Sequence, residues 1–158
     1  MKALRFSLLV ALSIAFIAPV HADESAAAKK DLATLQGEWR MTAGTADGMD
    51  IPDGMRANSR RICKGDELTA IVGGQLVMKA KITLAAEKKP KAIDYDVTDG
   101  PNKGRKLLGI YELDGDTFKA CYAAPGRERP KDFTSQSGEK VTLTVWKRVT
   151  SSEKPVAK

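Results

Sequence analysis

Carboxylates are the side chains best suited to do chemistry in this chain, and they form two groups. In the first, Asp47, Asp50 and Asp53 recur every three residues in a glycine-rich stretch. Their oxygens suit Ca²⁺, but the alternating ligands and the closing glutamate of an EF-hand are missing. Asp-Gly pairs are also common in ordinary turns. We therefore expect a turn in this stretch and no metal site.

The second acidic group is Asp94, Asp96 and Asp99. Side chains alternate between the two faces of a strand, so Asp94 and Asp96 share a face opposite Ile93 and Tyr95. If the apolar face points to the core, both carboxylates lie in water. Nothing there would raise the pKa of one of them, as paired acid–base catalysis requires. We expect surface carboxylates and no catalytic pair.

Histidine is missing from the part of the chain that we expect to fold. The single histidine is His21. It lies in residues 1–22, where a basic start, a short apolar segment and small residues predict an export signal cut between Ala22 and Asp23. The mature chain then lacks the commonest general base and metal ligand, although carboxylate or Lys/Tyr chemistry stays open. We expect a periplasmic or secreted protein with no cofactor, no catalytic site and no membrane span after cleavage.

Cys63 and Cys121 are the two cysteines of the chain. Two cysteines in an exported protein make a disulfide possible. They fall on the second and seventh predicted strands, which are not neighbours, and a disulfide needs Cα atoms about 4.4–6.8 Å apart. The sequence therefore favours two separate thiols over a Cys63–Cys121 disulfide. No histidine is at hand to activate either thiol.

Positive charge is mild and scattered. Without residues 1–22 the chain has 24 basic and 20 acidic residues, a net charge of +4. Nucleic-acid-binding proteins cluster basic residues with stacking aromatic residues, a pattern that is missing here. We expect no nucleic-acid partner and a solvated surface at the basic clusters, which are Lys29-Lys30, Arg60-Arg61, Lys88-Lys89 and Arg127/Arg129/Lys131.

The secondary-structure pattern is a short helix followed by about eight strands. Residues 23–36 predict a helical lead-in with Ser25 as its N-cap. Across residues 37–149, short alternating apolar segments are separated by turn signals, and no segment predicts a helix long enough for a βαβ crossover. This pattern favours an all-β fold, an eight-stranded antiparallel up-and-down barrel, over a two-sheet sandwich. Residues 150–158 are expected to be a disordered tail.

Two local features follow from the same pattern. Residues 44–54, rich in glycine and aspartate, predict a loop. In the last strand Val141, Leu143 and Val145 alternate with polar residues and Trp146, which predicts an apolar face formed by the three aliphatic side chains.

Three stretches carry a family resemblance. They are Leu35-Gln36-Gly37-Glu38-Trp39, then Lys89-Pro90-Lys91-Ala92-Ile93-Asp94, then residues 109–116 leading to Cys121-Tyr122 and residues 125–130. Across most of residues 32–148 the chain resembles an uncharacterised family of secreted bacterial lipocalin-like domains, best known from planctomycetes. The resemblance implies a calycin-like barrel and brings no catalytic residue with it.

The lipocalin resemblance also implies structural roles at the start and end of the barrel. Gly37 would turn the chain into the first strand, and Trp39 would close that end of the barrel. In lipocalins a basic side chain near the last strand often covers this tryptophan, and Arg148, with Lys147 second, matches that place. Such a cation over an indole ring contributes about 0.5–2 kcal/mol.

The interior decides the function, and two functions stay open. Small barrels either line an apolar pocket with their inward side chains or fill the interior with them. The first function is a non-enzymatic barrel that binds a small, mostly apolar ligand. The second is an envelope protein-interaction module that uses the loops at residues 47–54 and 125–139. The side chains expected to face the interior are Met78, Ile82, Tyr95, Leu107, Tyr111, Phe118 and Tyr122.

Overall fold

The computed structural model describes residues 25–150. The expected export signal and residues 151–158 of the expected tail lie outside the described residues. Two helices and nine strands follow one another in this part of the chain. They are α1 (Ala26–Leu35), β1 (Gly37–Ala46), β2 (Met49–Asp50), α2 (Asp53–Ala57), β3 (Arg60–Lys64), β4 (Glu67–Val72), β5 (Gln75–Ala85), β6 (Lys91–Asp99), β7 (Lys106–Asp114), β8 (Thr117–Ala123) and β9 (Val141–Arg148).

The strands form a closed antiparallel barrel. β1 pairs with β3, each later strand pairs with the next, and β9 pairs back onto β1. β2 is a two-residue addition to the end of β1. The barrel wall therefore has eight strands in up-and-down order, and the predicted fold class is confirmed. Neither helix within residues 25–150 is long and apolar enough to cross a membrane.

Alternation along the strands builds the core. On β5, Met78, Ala80 and Ile82 are buried, whereas Lys79 and Lys81 between them are exposed. Successive side chains of a strand point to opposite faces, so one face of each strand fills the barrel and the other meets water. The interior is apolar and rich in aromatic rings.

Residues 44–54 are more ordered than a loop. β1 continues to Ala46, a tight turn follows, and α2 begins at Asp53. The Ile51 amide donates to the Gly44 carbonyl over 2.8 Å, and the Arg56 guanidinium donates to the Ile51 carbonyl over 2.5 Å. The loop prediction was wrong for the strand residues on both sides of the Asp47-Gly48 turn and for the start of α2, because these hydrogen bonds fix the backbone there.

The inward face of β9 is formed by Thr144 and Trp146 and not by the three aliphatic side chains. Trp146 and Thr144 are buried, whereas Leu143 is only partly covered. Trp146 pairs across the strands with Met41 and Phe118, and paired residues share a face, so Trp146 points into the barrel. Leu143 pairs with Cys121 on the outer side of the wall.

Helix α1 covers one end of the barrel. Ser25 caps its first turn by accepting a hydrogen bond from the Ala28 amide over 3.1 Å. Gly37, at φ +104°, turns the chain from the helix into β1, a conformation that glycine adopts without strain. The buried Trp39 donates from Nε1 to the Leu35 carbonyl over 2.9 Å.

Arg148 of β9 connects the last strand to helix α1 and to Trp39. Its Cζ lies 4.2 Å from the Trp39 ring centroid. Its Nη1 and Nη2 donate to the carbonyls of Gln36 and Thr34 over 2.7 and 2.5 Å, so it satisfies acceptors at the C-terminal end of α1. Lys147, the second residue considered for this place, is exposed.

We expect Arg148→Met to lower the free energy of unfolding by about 2–3 kcal/mol, because it removes charged hydrogen bonds and the cation over the indole ring. Lys147→Met is the matched control, and a surface change of this kind should alter stability by less than about 0.5 kcal/mol. Urea unfolding followed by tryptophan fluorescence measures both. Equal stability of the two variants would show that Arg148 does not hold α1 on the barrel.

Candidate functional site

The end of the barrel opposite α1, called here the open end, carries a cavity. The connections between β1 and β3, β6 and β7, and β8 and β9 meet at this end. The cavity has a volume of about 310 Å³ and is called the mouth cavity. Its wall includes Met78, Leu107, Tyr122 and Thr142 from the strands, together with Pro101, Asn102, Pro125 and Lys140 from the connections and strand ends.

The residues predicted to face the interior divide into two sets. Met78, Leu107 and Tyr122 line the mouth cavity. The other four belong to the packed core and do not line it; they are Ile82, Tyr95, Tyr111 and Phe118. The interior is therefore filled near α1 and accessible near the open end.

Tyr111 does not line the mouth cavity, and its hydroxyl connects helix α1 to the barrel. Its hydroxyl donates to Asp31 of α1 over 2.7 Å, and Lys91 donates to the same oxygen over 2.7 Å. Burial, together with the hydrogen bond and the negative charge of Asp31, raises the pKa of Tyr111. These contacts tie α1 to the wall of the barrel.

Arg61 occupies the interior, and the prediction that Arg60-Arg61 is a solvated surface pair was wrong for this residue. Arg61 is only 2% exposed, whereas Ile62 beside it is 38% exposed. Arg61 pairs across the strands with Trp39, so the two side chains share the inward face of the wall. Hydrophobicity alone would predict Ile62 inside the barrel and Arg61 on its surface.

The guanidinium of Arg61 makes cation–π contacts with two aromatic rings. Its Cζ lies 5.0 Å from the ring centroid of Phe118 and 4.7 Å from that of Trp146. It is the only charged side chain buried within residues 25–150. No acidic side chain in this part of the chain forms an ion pair with it. The rings offset part of the cost of burial but leave the charge uncompensated.

Four buried polar atoms around Arg61 have no hydrogen-bond partner within residues 25–150. They are Nε and Nη1 of Arg61, the hydroxyl of Tyr95 and Nε1 of Trp146. Buried polar groups in folded proteins are nearly always hydrogen-bonded, so these atoms need water or another partner that the described residues do not supply. Arg61, Tyr95 and Trp146 are called here the Arg61 cluster.

The Arg61 cluster is adjacent to the mouth cavity. The ring of Tyr122, which lines the cavity, lies edge-on to the ring of Tyr95 with 5.6 Å between centroids. Burial raises the pKa of Tyr95 to about 12 and also raises that of Tyr122, and the positive charge of Arg61 opposes both shifts. Both phenols therefore stay protonated near neutral pH and can donate hydrogen bonds.

The possible disulfide is not formed, because Cys63 and Cys121 are both free thiols. They lie on β3 and β8, which β1 and β9 separate. Cys63 belongs to the interior core, whereas the Sγ atom of Cys121 donates to the Thr134 carbonyl of the β8–β9 connection. Burial raises the pKa of each thiol to about 11, so neither is an activated nucleophile.

The acidic groups are occupied by ion pairs on the surface. Asp94 pairs with Arg129 over 2.6 Å, and Asp96 pairs with Lys106 over 3.1 Å. Each of the two carboxylates therefore pairs with its own cation, and the two do not share a proton. Within residues 25–150, no three histidine, cysteine or acidic side chains come together as a metal site.

Comparison of the chain with protein-family models, with curated proteins and with solved structures gave no match. The lipocalin-like resemblance of the sequence therefore stays a prediction. The fold itself is established by the strand pairing and does not depend on that resemblance.

We expect Arg61→Met to raise the free energy of unfolding of the ligand-free protein by on the order of 1–3 kcal/mol, because it replaces an uncompensated buried charge with an apolar side chain of similar length. Arg60→Met, on the exposed face of the same strand, is the matched control and should have little effect. Thermal and urea unfolding measure both. A loss of stability in Arg61→Met would show that Arg61 is satisfied within the fold.

Proposed function

We propose that this protein is an exported, non-enzymatic barrel that binds a small, mostly apolar molecule at its open end. The mouth cavity carries this proposal. Its volume of about 310 Å³ falls at the lower end of the range of about 300–1,000 Å³ for small-molecule pockets. Met78, Leu107 and Tyr122 supply an apolar and aromatic wall, with a few polar groups at the rim.

The two ends of the barrel differ in a way that supports this assignment. At the α1 end, Trp39 packs 6.0 Å from Phe118 and Arg148 covers the indole ring. The side chains there fill the interior. At the open end the wall continues into connections, one of which contains the short helix α2, and the mouth cavity lies against β5, β7 and β8.

The chemistry of the site favours binding over catalysis. The free thiols are buried and protonated near neutral pH, and the acidic pair is engaged with surface cations. Within residues 25–150, no acidic side chain lines the mouth cavity. The export signal expected at residues 1–22 would deliver the barrel to the periplasm or the exterior, where small apolar molecules need a carrier or a receptor.

A second candidate function is the envelope protein-interaction module. The two loops it requires do meet: the Gly48 amide donates to Ser135 Oγ over 3.3 Å, and Lys140 pairs with Asp47 over 2.9 Å. Met49, within the first loop, and Met55, directly after it, are 72% and 45% exposed. Exposed large apolar side chains grouped at one end are typical of contact surfaces.

Filling the mouth cavity tests the first function. Thr142 lines the cavity opposite Tyr122, and Thr142→Phe would occupy its volume. We expect this variant to bind the neutral probe N-phenyl-1-naphthylamine at least about tenfold more weakly than the unchanged protein, as measured by fluorescence titration.

Thr83→Phe makes the same change on the exposed face of β5 and is the matched control. It should bind the probe like the unchanged protein. No probe binding by the unchanged protein, or equal binding by all three proteins, would contradict a ligand site in the mouth cavity. Such a result would leave the surface formed by the two loops as the better candidate.

A further inference from the structure

Arg61 brings a full positive charge into the barrel without a negative partner in the described part of the chain. A buried guanidinium is expensive because it leaves water, and a guanidinium is always protonated in a protein. A fold that keeps such a charge uncompensated is less stable than one with an apolar side chain at that position. The arrangement is explained if the charge serves a ligand.

We propose that the Arg61 cluster binds the anionic head of the ligand, so that the molecules preferred by this barrel are small monocarboxylates with an apolar body. This inference rests on the proposed function, because it names the ligand class of the same site. The carboxylate would accept hydrogen bonds from Arg61 and Tyr95, and the apolar body would extend toward the open end.

The donors fit a carboxylate. A carboxylate accepts through two oxygens, whereas Nε and Nη1 lie on different edges of the planar guanidinium, so one oxygen would meet an Arg61 donor and the other a neighbouring donor. Arg61 has unpartnered donors at Nε and Nη1, and the Tyr95 hydroxyl and Trp146 Nε1 add two more groups that can donate. Three of these four atoms can only donate a hydrogen bond, and the Tyr95 hydroxyl can donate as well. We therefore expect a hydrogen-bond acceptor to fill the site.

The charges favour a single negative charge. Lys140 lines the mouth cavity, but Asp47 neutralises it through a 2.9 Å ion pair. Within residues 25–150, Arg61 is the one buried cation, and none of the ion pairs there includes it. One uncompensated cation matches a monoanion, whereas a doubly charged head group would leave a buried negative charge unpaired.

None of the three residues of the Arg61 cluster lines the mouth cavity, so the apolar body of the ligand would reach the cavity past Tyr122. Tyr122 contacts Tyr95 of the Arg61 cluster on one side and lines the mouth cavity on the other. Met78 and Leu107 complete the apolar part of the same wall. A ligand with its head at Arg61 would therefore place its tail along these three side chains.

The test compares octanoate with 1-octanol, which share a chain length and differ in the head group. Calorimetric titration measures their dissociation constants for the unchanged protein, Arg61→Met and the surface control Arg60→Met. We expect the unchanged protein and Arg60→Met to bind octanoate at least about tenfold more tightly than 1-octanol. In Arg61→Met the two ligands should bind within about twofold of each other.

Two further measurements keep the result clear. If Arg61→Met does not fold, the comparison of octanoate and 1-octanol on the unchanged protein decides alone, and Tyr95→Phe should weaken octanoate more than 1-octanol. Equal binding of octanoate and 1-octanol to the unchanged protein overturns the inference and shows that the cluster holds water only. If N-phenyl-1-naphthylamine binds while octanoate does not, the inference fails and the proposed function stands; if none of the three binds, the proposed function fails as well.

Discussion

The pairing of β9 with β1 is the constraint on which the rest of the structure depends. It turns a meander into a closed barrel, so that no long strand edge is left unpaired within the wall. It places Arg148 directly opposite Trp39 and thereby links the last strand to α1. The same register brings Trp146 beside Met41 and inward. The sealed end and the aromatic interior both follow from this closure.

The interior combines a stabilising and a destabilising part. The aromatic rings near α1 bury apolar area and give the barrel its core. Arg61, close to the same rings, adds a charge that the ring faces compensate only in part. A site that keeps an uncompensated charge lowers stability in exchange for readiness to bind, because its donors are already in place when a ligand arrives.

Much of the fold could be predicted from the sequence, because β5 alternates cleanly and the turns carry glycine and aspartate. The faces of two strands could not. A shift of one residue reverses which side chains point inward, and the choice at Arg61 and Trp146 is made by their cross-strand partners, Trp39 and Met41, rather than by their own hydrophobicity. The site was only partly predicted for the same reason: Met78, Leu107 and Tyr122 were named as interior residues, whereas the buried cation was taken for surface.

The central claim is that Arg61 lies inside the barrel as a cation that waits for an anionic partner. A high-resolution crystal structure of the protein purified without an added ligand tests it most directly. The account predicts electron density for a small molecule that runs from the mouth cavity to hydrogen-bond distance from the Arg61 guanidinium. An Arg61 side chain that points to solvent, or that pairs with a carboxylate of its own chain, would contradict the account.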